Sequence, residues 1–231
     1  MMFYRLLQDL LGLLFPELCA ACGIQLYRGE HCLCSKCLYD LPYSDHHLHT
    51  DNRAAKKFWG RLPLGHVFAL LHFKKGNAVQ QILHSLKYRN QPELGVTLGR
   101  MIAEKLLLNK QSNYPDLIVP VPLHRRREKL RGYNQSLCIA RGIAEVLQIP
   151  LSEGNLKRII ATESQTRKNR YSRHENMVGV FELQNTSAFR DKHVLLVDDV
   201  ITSGATLEAC AIALLKHRVN KISIAAAAFA D

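Results

Sequence analysis

Hydrophobic positions in this chain change period repeatedly. Short apolar or alternating runs at 66–73, 117–121, 156–160, 178–183, 193–197 and 221–229 predict strands. Between them, 77–88, 93–108, 135–147 and 205–216 carry apolar residues at helical spacing, as in Val79, Ile82, Leu83 and Leu86. Gly95 and Gly99 fall inside the second helix without ending the pattern, and Pro120 and Pro122 close the strand at 117–121. Asn134 stands where a capping residue would start the helix at 135. Strands alternating with helices predict an α/β fold, a mostly parallel sheet with helices on both faces. This pattern occupies 66–231; a cysteine-rich stretch with an apolar segment at 3–14 occupies 1–45, and 46–65 reads as a linker. Residues 162–176 are polar and basic, and read as a loop.

One run carries the chemistry. Val194 to Val197 is a buried-strand pattern, Asp198 and Asp199 stand at its end, and Thr202-Ser203-Gly204-Ala205-Thr206 turns into a helix. Ligands of open α/β sheets bind at the carboxyl ends of strands. A helix N-terminus offers free N–H donors and a positive dipole end to a phosphate. Gly204 permits close backbone approach, the hydroxyls of Thr202, Ser203 and Thr206 can donate to phosphate oxygens, and the carboxylates can accept from a vicinal diol. These features suit a sugar phosphate. The run resembles the phosphoribosyl pyrophosphate (PRPP) loop of type I phosphoribosyltransferases. The resemblance implies that Asp198 and Asp199 bind the ribose hydroxyls and that Thr202, Ser203, Gly204, Ala205 and Thr206 hold the 5′-phosphate. It also implies Mg²⁺, bridging sugar and diphosphate oxygens. Thr202 stands where purine phosphoribosyltransferases carry an aspartate, so a proton-transfer role toward a purine is lost at that position.

Cys19 and Cys22 form one Cys-x-x-Cys knuckle, and Cys34 and Cys37 form another. This spacing suits four thiolates around a structural Zn²⁺, with Cys32 and His31 as possible substitutes. No secretory signal is read at the N-terminus, so reduced thiols and a cytoplasmic setting are expected. Cys138 and Cys210 read as small core residues, and His46, His47 and His49 as exposed linker histidines. No apolar run is long enough to predict a membrane span.

The formal net charge is +11. The excess is clustered, first at Arg125, Arg126, Arg127, Lys129 and Arg131, then at Lys157, Arg158, Arg167, Lys168, Arg170 and Arg173. A loop after the strand at 117–121 would bring Arg125, Arg126 and Arg127 to a diphosphate, where guanidinium forks pair phosphate oxygens. Arg131 joins Asp198 and Asp199 as a candidate catalytic residue. A basic surface also suits nucleic acid, and Tyr88, Tyr133 and Tyr171 lie near basic residues, where they could stack on bases.

The order of parts resembles the ComF family. The matching pieces are the four cysteines, Pro120 to Arg127, Arg131-Gly-Tyr-Asn-Gln135, Ser164-Gln-Thr-Arg167 with Arg170, and the PRPP-type loop. That resemblance implies a phosphoribosyltransferase-type protein linked to DNA uptake or the use of DNA as nutrient. Two readings follow. One is a Mg²⁺-dependent transferase acting on PRPP. The other is a non-catalytic accessory that binds single-stranded DNA, works with competence-machinery proteins and keeps a PRPP pocket.

Overall fold

The computed structural model describes residues 16–108, 114–159 and 179–230. The apolar segment at 3–14, the basic loop at 162–176 with its arginines, and Tyr171 lie outside these. Four strands, β1 (Leu64–Phe73), β2 (Leu117–Pro120), β5 (His193–Ile201) and β6 (Lys221–Ala230), form one parallel sheet in the order β1-β6-β5-β2. The strands predicted at 156–160 and 178–183 do not join it. They appear as β3 (Leu156–Arg158) and β4 (Phe181–Leu183), an antiparallel ribbon of their own. Their short alternating patterns cannot distinguish a sheet strand from a surface ribbon.

Alternate residues of the strands sort into two cores. Phe68, Leu70, Leu195, Val197, Ala225 and Ala227 face α3 (Ala78–Tyr88), α4 (Pro92–Leu107) and α6 (Gln135–Leu147). Val67, Ala69, Leu196, Ile224 and Ala226 face α2 (Arg53–Lys56), α7 (Ala205–Leu215) and the ribbon. The expected two-faced α/β architecture is therefore present. Cys19, Ala20, Leu33, Cys34 and Leu41 belong to the first core, so the cysteine-rich stretch, with α1 (Ser35–Asp40), packs directly on the main body.

Both sheet edges are covered, which removes unpaired strand groups from solvent. Ser44 N donates to Leu70 O and His72 N to Pro42 O along β1. Ile118 N donates to Pro150 O and Ser152 N to Ile118 O along β2. The first strap overturns one expectation. His46 and His47 are buried, at 2% and 7% exposure, with His46 edge-on to Phe229 and His47 edge-on to Phe68. Polar composition suggested a solvated segment, but aromatic partners distant in sequence bury these rings.

The glycines of α4 have a physical reason. A Cβ at Gly99 would lie 2.0 Å from Ile139 O, and one at Gly142 of α6 would lie 2.1 Å from Val96 O. The two helix backbones touch at this crossing, so only hydrogens fit between them. Gly99→Ala is expected to lower stability by about 2–3 kcal/mol or more, since overpacking against rigid backbone has no side-chain escape. Urea unfolding checks this, and an unchanged midpoint would contradict the crossing.

Candidate functional site

β5 pairs with β2 only as far as Val197, opposite Pro120, while its pairing with β6 continues past Asp198 to Ile201. The acid pair therefore lies within the strand rather than after it, which corrects the predicted end at 197. It stands where β5 loses its β2 neighbour. The two carboxylates meet different partners. Asp198 Oδ1 accepts from Ser136 Oγ at 2.9 Å and from Asp199 N at 2.8 Å. Asp199 Oδ2 pairs with Lys87 Nζ at 2.8 Å, and both side chains are mostly buried. Burial, then the charge of Asp199, push the Asp198 carboxyl up to about 7, against the lowering effects of its hydrogen bonds and Lys87.

After Ile201, Thr202 is exposed, Ser203 half-buried and Gly204 buried with φ of 78°. Gly204 caps α7 without a side chain, whereas Asn77, His124 and Asn134 cap α3, α5 (Arg125–Arg131) and α6 with theirs. The first turn of α7 thus keeps donors for an anion, with Ala205 and Thr206 half-buried beside it. A Cβ on Gly204 would lie 2.7 Å from the Phe58 ring. On that side the close approach expected of a ligand is made by Phe58. Arg61 Nη1 reaches Glu208 Oε2 at 2.8 Å, tying the segment after α2 to α7.

The basic cluster is helical, not a loop. His124 starts α5 by accepting from Arg126 N, and Gly132 ends it in the left-handed region. Arg125 and Arg126 project into solvent, while Arg127 is half-buried. Burial, then the like charge of Arg127, hold Arg158 of β3 below the ordinary guanidinium value; Asp198 pulls it the other way. Among the described residues, Arg158 thus feels the charge of both Asp198 and Arg127. Arg131 Nη1 bonds Gln135 Oε1 at 2.8 Å, and its guanidinium lies 5.6 Å from the Tyr88 ring centre.

The Arg-Gly-Tyr-Asn-Gln run works as a joint. Tyr133 donates its hydroxyl to Leu86 O, Asn134 donates to Val121 O, and Asn134 accepts from Ser136 N. These bonds set the start of α6, and with it Ser136, against the end of β2. Sequence reasoning missed both Ser136 and Lys87. Their signals were the serine behind a capping asparagine and a Lys-Tyr-Arg run at a helix end.

The four predicted cysteines converge, with their sulfurs all within 4.8 Å of one another. Cys22 and Cys34 sulfurs are 3.8 Å apart, and a tetrahedral Zn²⁺ with Zn–S near 2.3 Å sets sulfurs about 3.8 Å apart. The donor set fits zinc. Neither Cys32 nor His31 belongs to the group; Cys32 instead takes a left-handed φ of 60°. Cys34 N donates to Cys19 Sγ and Cys37 N to Cys34 Sγ. Burial opposes the Cys19 thiolate, but backbone N–H groups of Cys22, Cys34 and Ala21 bring it down to about 7. Burial and the neighbouring cysteines push Cys37 up, so the crowded sulfurs share charge poorly without a cation. All seven cysteines are free thiols, and Cys138 and Cys210 are buried core residues as expected.

With this geometry in place, comparison with known proteins adds a lineage. The family model described as "Phosphoribosyl transferase domain" matches residues 134–231. Competence protein F of Haemophilus influenzae is 29% identical over 91% of this chain and 83% of its own length. DNA utilization protein YhgH of Salmonella typhi is 30% identical over 62% of this chain and 63% of its own. These relatives and the matched domain support the ComF family. Among solved structures, glutamine PRPP amidotransferase from Bacillus subtilis, complexed with ADP and GMP, aligns with a TM-score of 0.42. That alignment has 17% identity over 62% of this chain and 30% of the amidotransferase. Among the described residues, no helix is long and apolar enough to cross a membrane.

The acid pair has a measurable consequence. The ordinary carboxyl value is 3.8, and Asp198 sits near 7 in the folded chain. The folded state therefore binds this proton more tightly than the unfolded state. Asp198 costs nothing below the unfolded value, costs progressively more as pH rises toward 7, and levels off above it. The penalty reaches up to ~4 kcal/mol. Asp198→Asn keeps an acceptor for Ser136, so it is expected to raise the melting temperature at pH 8, with the gain fading near pH 4. Equal melting shifts at both pH values would refute this burial.

Proposed function

We propose that this chain binds PRPP, carried with Mg²⁺, at the carboxyl end of β5, and that it does so in the service of DNA uptake or use. The observation that carries the reading is the acid pair where β5 runs on past β2, followed directly by a helix that Gly204 starts without a side-chain cap, its Ala205 N–H reaching only Ser203 Oγ at 3.5 Å. In this reading Asp198 and Asp199 accept the ribose hydroxyls, Thr202 to Thr206 receive the 5′-phosphate, and Arg127 faces the diphosphate. Arg125 and Arg126 lie further out on α5, within reach of a diphosphate only through longer side-chain excursions. Departure of pyrophosphate from the anomeric carbon builds positive charge on the sugar, and nearby carboxylates stabilise such charge. The names of the Haemophilus and Salmonella relatives support the link to competence and DNA utilization. Four free thiols suit a reducing, cytoplasmic setting.

The metals fit differently. Both carboxylates already have protein partners, and the four cysteines are the one cluster of three or more metal-ligating side chains among the described residues. Mg²⁺ therefore fits as an ion borne on the oxygens of PRPP, where it would offset diphosphate charge. Zn²⁺ fits the sulfurs of Cys19, Cys22, Cys34 and Cys37 and would hold the module's two knuckles together. Because Cys19 and Cys34 belong to the main core, zinc loss is felt beyond the module. A strong chelator is expected to release one zinc per chain and lower the melting temperature, and Cys34→Ser to do the same. Metal-free purified protein with unchanged melting would remove zinc from the account.

A second reading has its own observation. Trp59 is 58% exposed beside the turn that Phe58 packs against, with Lys56 Nζ 5.4 Å from its ring. Tyr88 is 62% exposed under Arg131, whereas Tyr133 is engaged at Leu86. Exposed rings flanked by cations suit single-stranded DNA, and such an accessory would act beside other competence-machinery proteins. Calorimetry separates the readings. PRPP with Mg²⁺ is expected to bind, and Asp199→Asn to weaken binding by about tenfold or more, as for a hydrogen bond to a charged group. No PRPP binding at millimolar ligand, together with Trp59 quenching by oligonucleotide that weakens steeply with salt, would replace the first reading with the second.

A further inference from the structure

We propose that Lys87 is a positioning residue: it fixes Asp199 through Oδ2 and leaves Oδ1 to accept from a pentose hydroxyl. The inference rests on the PRPP reading and names a residue outside the loop that suggested it. The Lys87–Asp199 pair spans 2.8 Å, with side-chain exposures of 22% and 12%. Such a pair is only weakly screened by solvent, and desolvating an ammonium is costly. A lysine in the last turn of a helix already gains from the dipole while fully solvated, so helix stability alone does not require it to turn inward.

The surrounding bonds hold Lys87 in that direction. Tyr133 donates its hydroxyl to Leu86 O, anchoring the last turn of α3 to the joint before α6. Tyr88, the next residue, points outward between His84 and Arg131. The other groups facing the acids act on Asp198: Ser136 from α6, Cys210 from α7 and Arg158 from β3, with Arg127 of α5 behind Arg158. Lys87 is the cation bonded to Asp199, and its charge also favours ionised Asp198. One lysine thus orients one acid and eases the charge on both.

The test uses the full chain with Lys87→Met, Lys87→Gln and Lys87→Arg. Carboxyl NMR titration of ¹³C-labelled aspartates needs no ligand. In Lys87→Met the titration of the acid pair is expected to move up by about one pH unit or more, and Lys87→Arg to restore it. Calorimetry with PRPP and Mg²⁺ is expected to show about tenfold weaker binding in Lys87→Met, more at pH 6 than at pH 8, again restored by arginine. Lys87→Gln serves where the methionine variant fails to fold. An unmoved titration in a folded variant overturns the inference whatever PRPP does. A shifted titration with wild-type PRPP affinity overturns the positioning role. A shifted titration in a chain whose wild type binds no PRPP overturns the PRPP reading and the pentose role with it.

Discussion

Two carboxylates on consecutive residues of a buried strand repel each other, and the carboxyl edge of the sheet is arranged around that repulsion. Asp198 and Asp199 have no room to separate, because β6 holds the backbone on both sides of them. The chain relieves the charge instead. Pairing with β2 stops at Val197, and each side chain meets a donor from a different helix. Ser136 arrives from α6 and Lys87 from α3, on segments that the joint at 131–136 fastens together.

That joint explains why distant features of the fold bear on the site. The start of α6 is fixed at one end by Asn134 on Val121, and its body is fixed by the glycine crossing with α4. A looser crossing would let α6 rotate and carry Ser136 away from Asp198. The straps along β1 and β2 serve the same end by keeping the strands in register. Register matters because a one-residue slip would carry each acid away from its donor.

Much of this was legible in the sequence, for a physical reason. The order of buried strand, acid pair and hydroxyl-glycine turn is local, and each residue type has few other uses at that place. The clustering of the four cysteines was legible because two Cys-x-x-Cys knuckles have the spacing of a four-thiolate metal site. What escaped was everything set by partners far along the chain. Periodicity carries no information that Lys87 turns inward while Tyr88 turns out. Polar composition concealed the burial of His46 and His47 against phenylalanines of β1 and β6. Pattern likewise carries no sign that Arg131 bonds Gln135 and lies over Tyr88, or that Arg158, on a ribbon too short to identify by pattern, bears on Asp198.

The cost of the acid pair argues for its use. A neutral residue at 198 with the same shape would keep the bond to Ser136 and spare the burial of a carboxylate held near 7. Lysine at 87 would be cheaper in solvent than against Asp199. A fold selected for stability alone would discard both, since neither packs a core nor pairs an edge. Strained or costly groups survive where the surrounding structure over-determines them and something gains from the arrangement. Here the surroundings do over-determine them, through Ser136, the backbone N–H of Asp199, Lys87 and the anchored end of α3. A ligand whose hydroxyls need strong acceptors beside an anion-receptive helix start would recover that cost on binding, and the destabilising charge would become the source of its affinity.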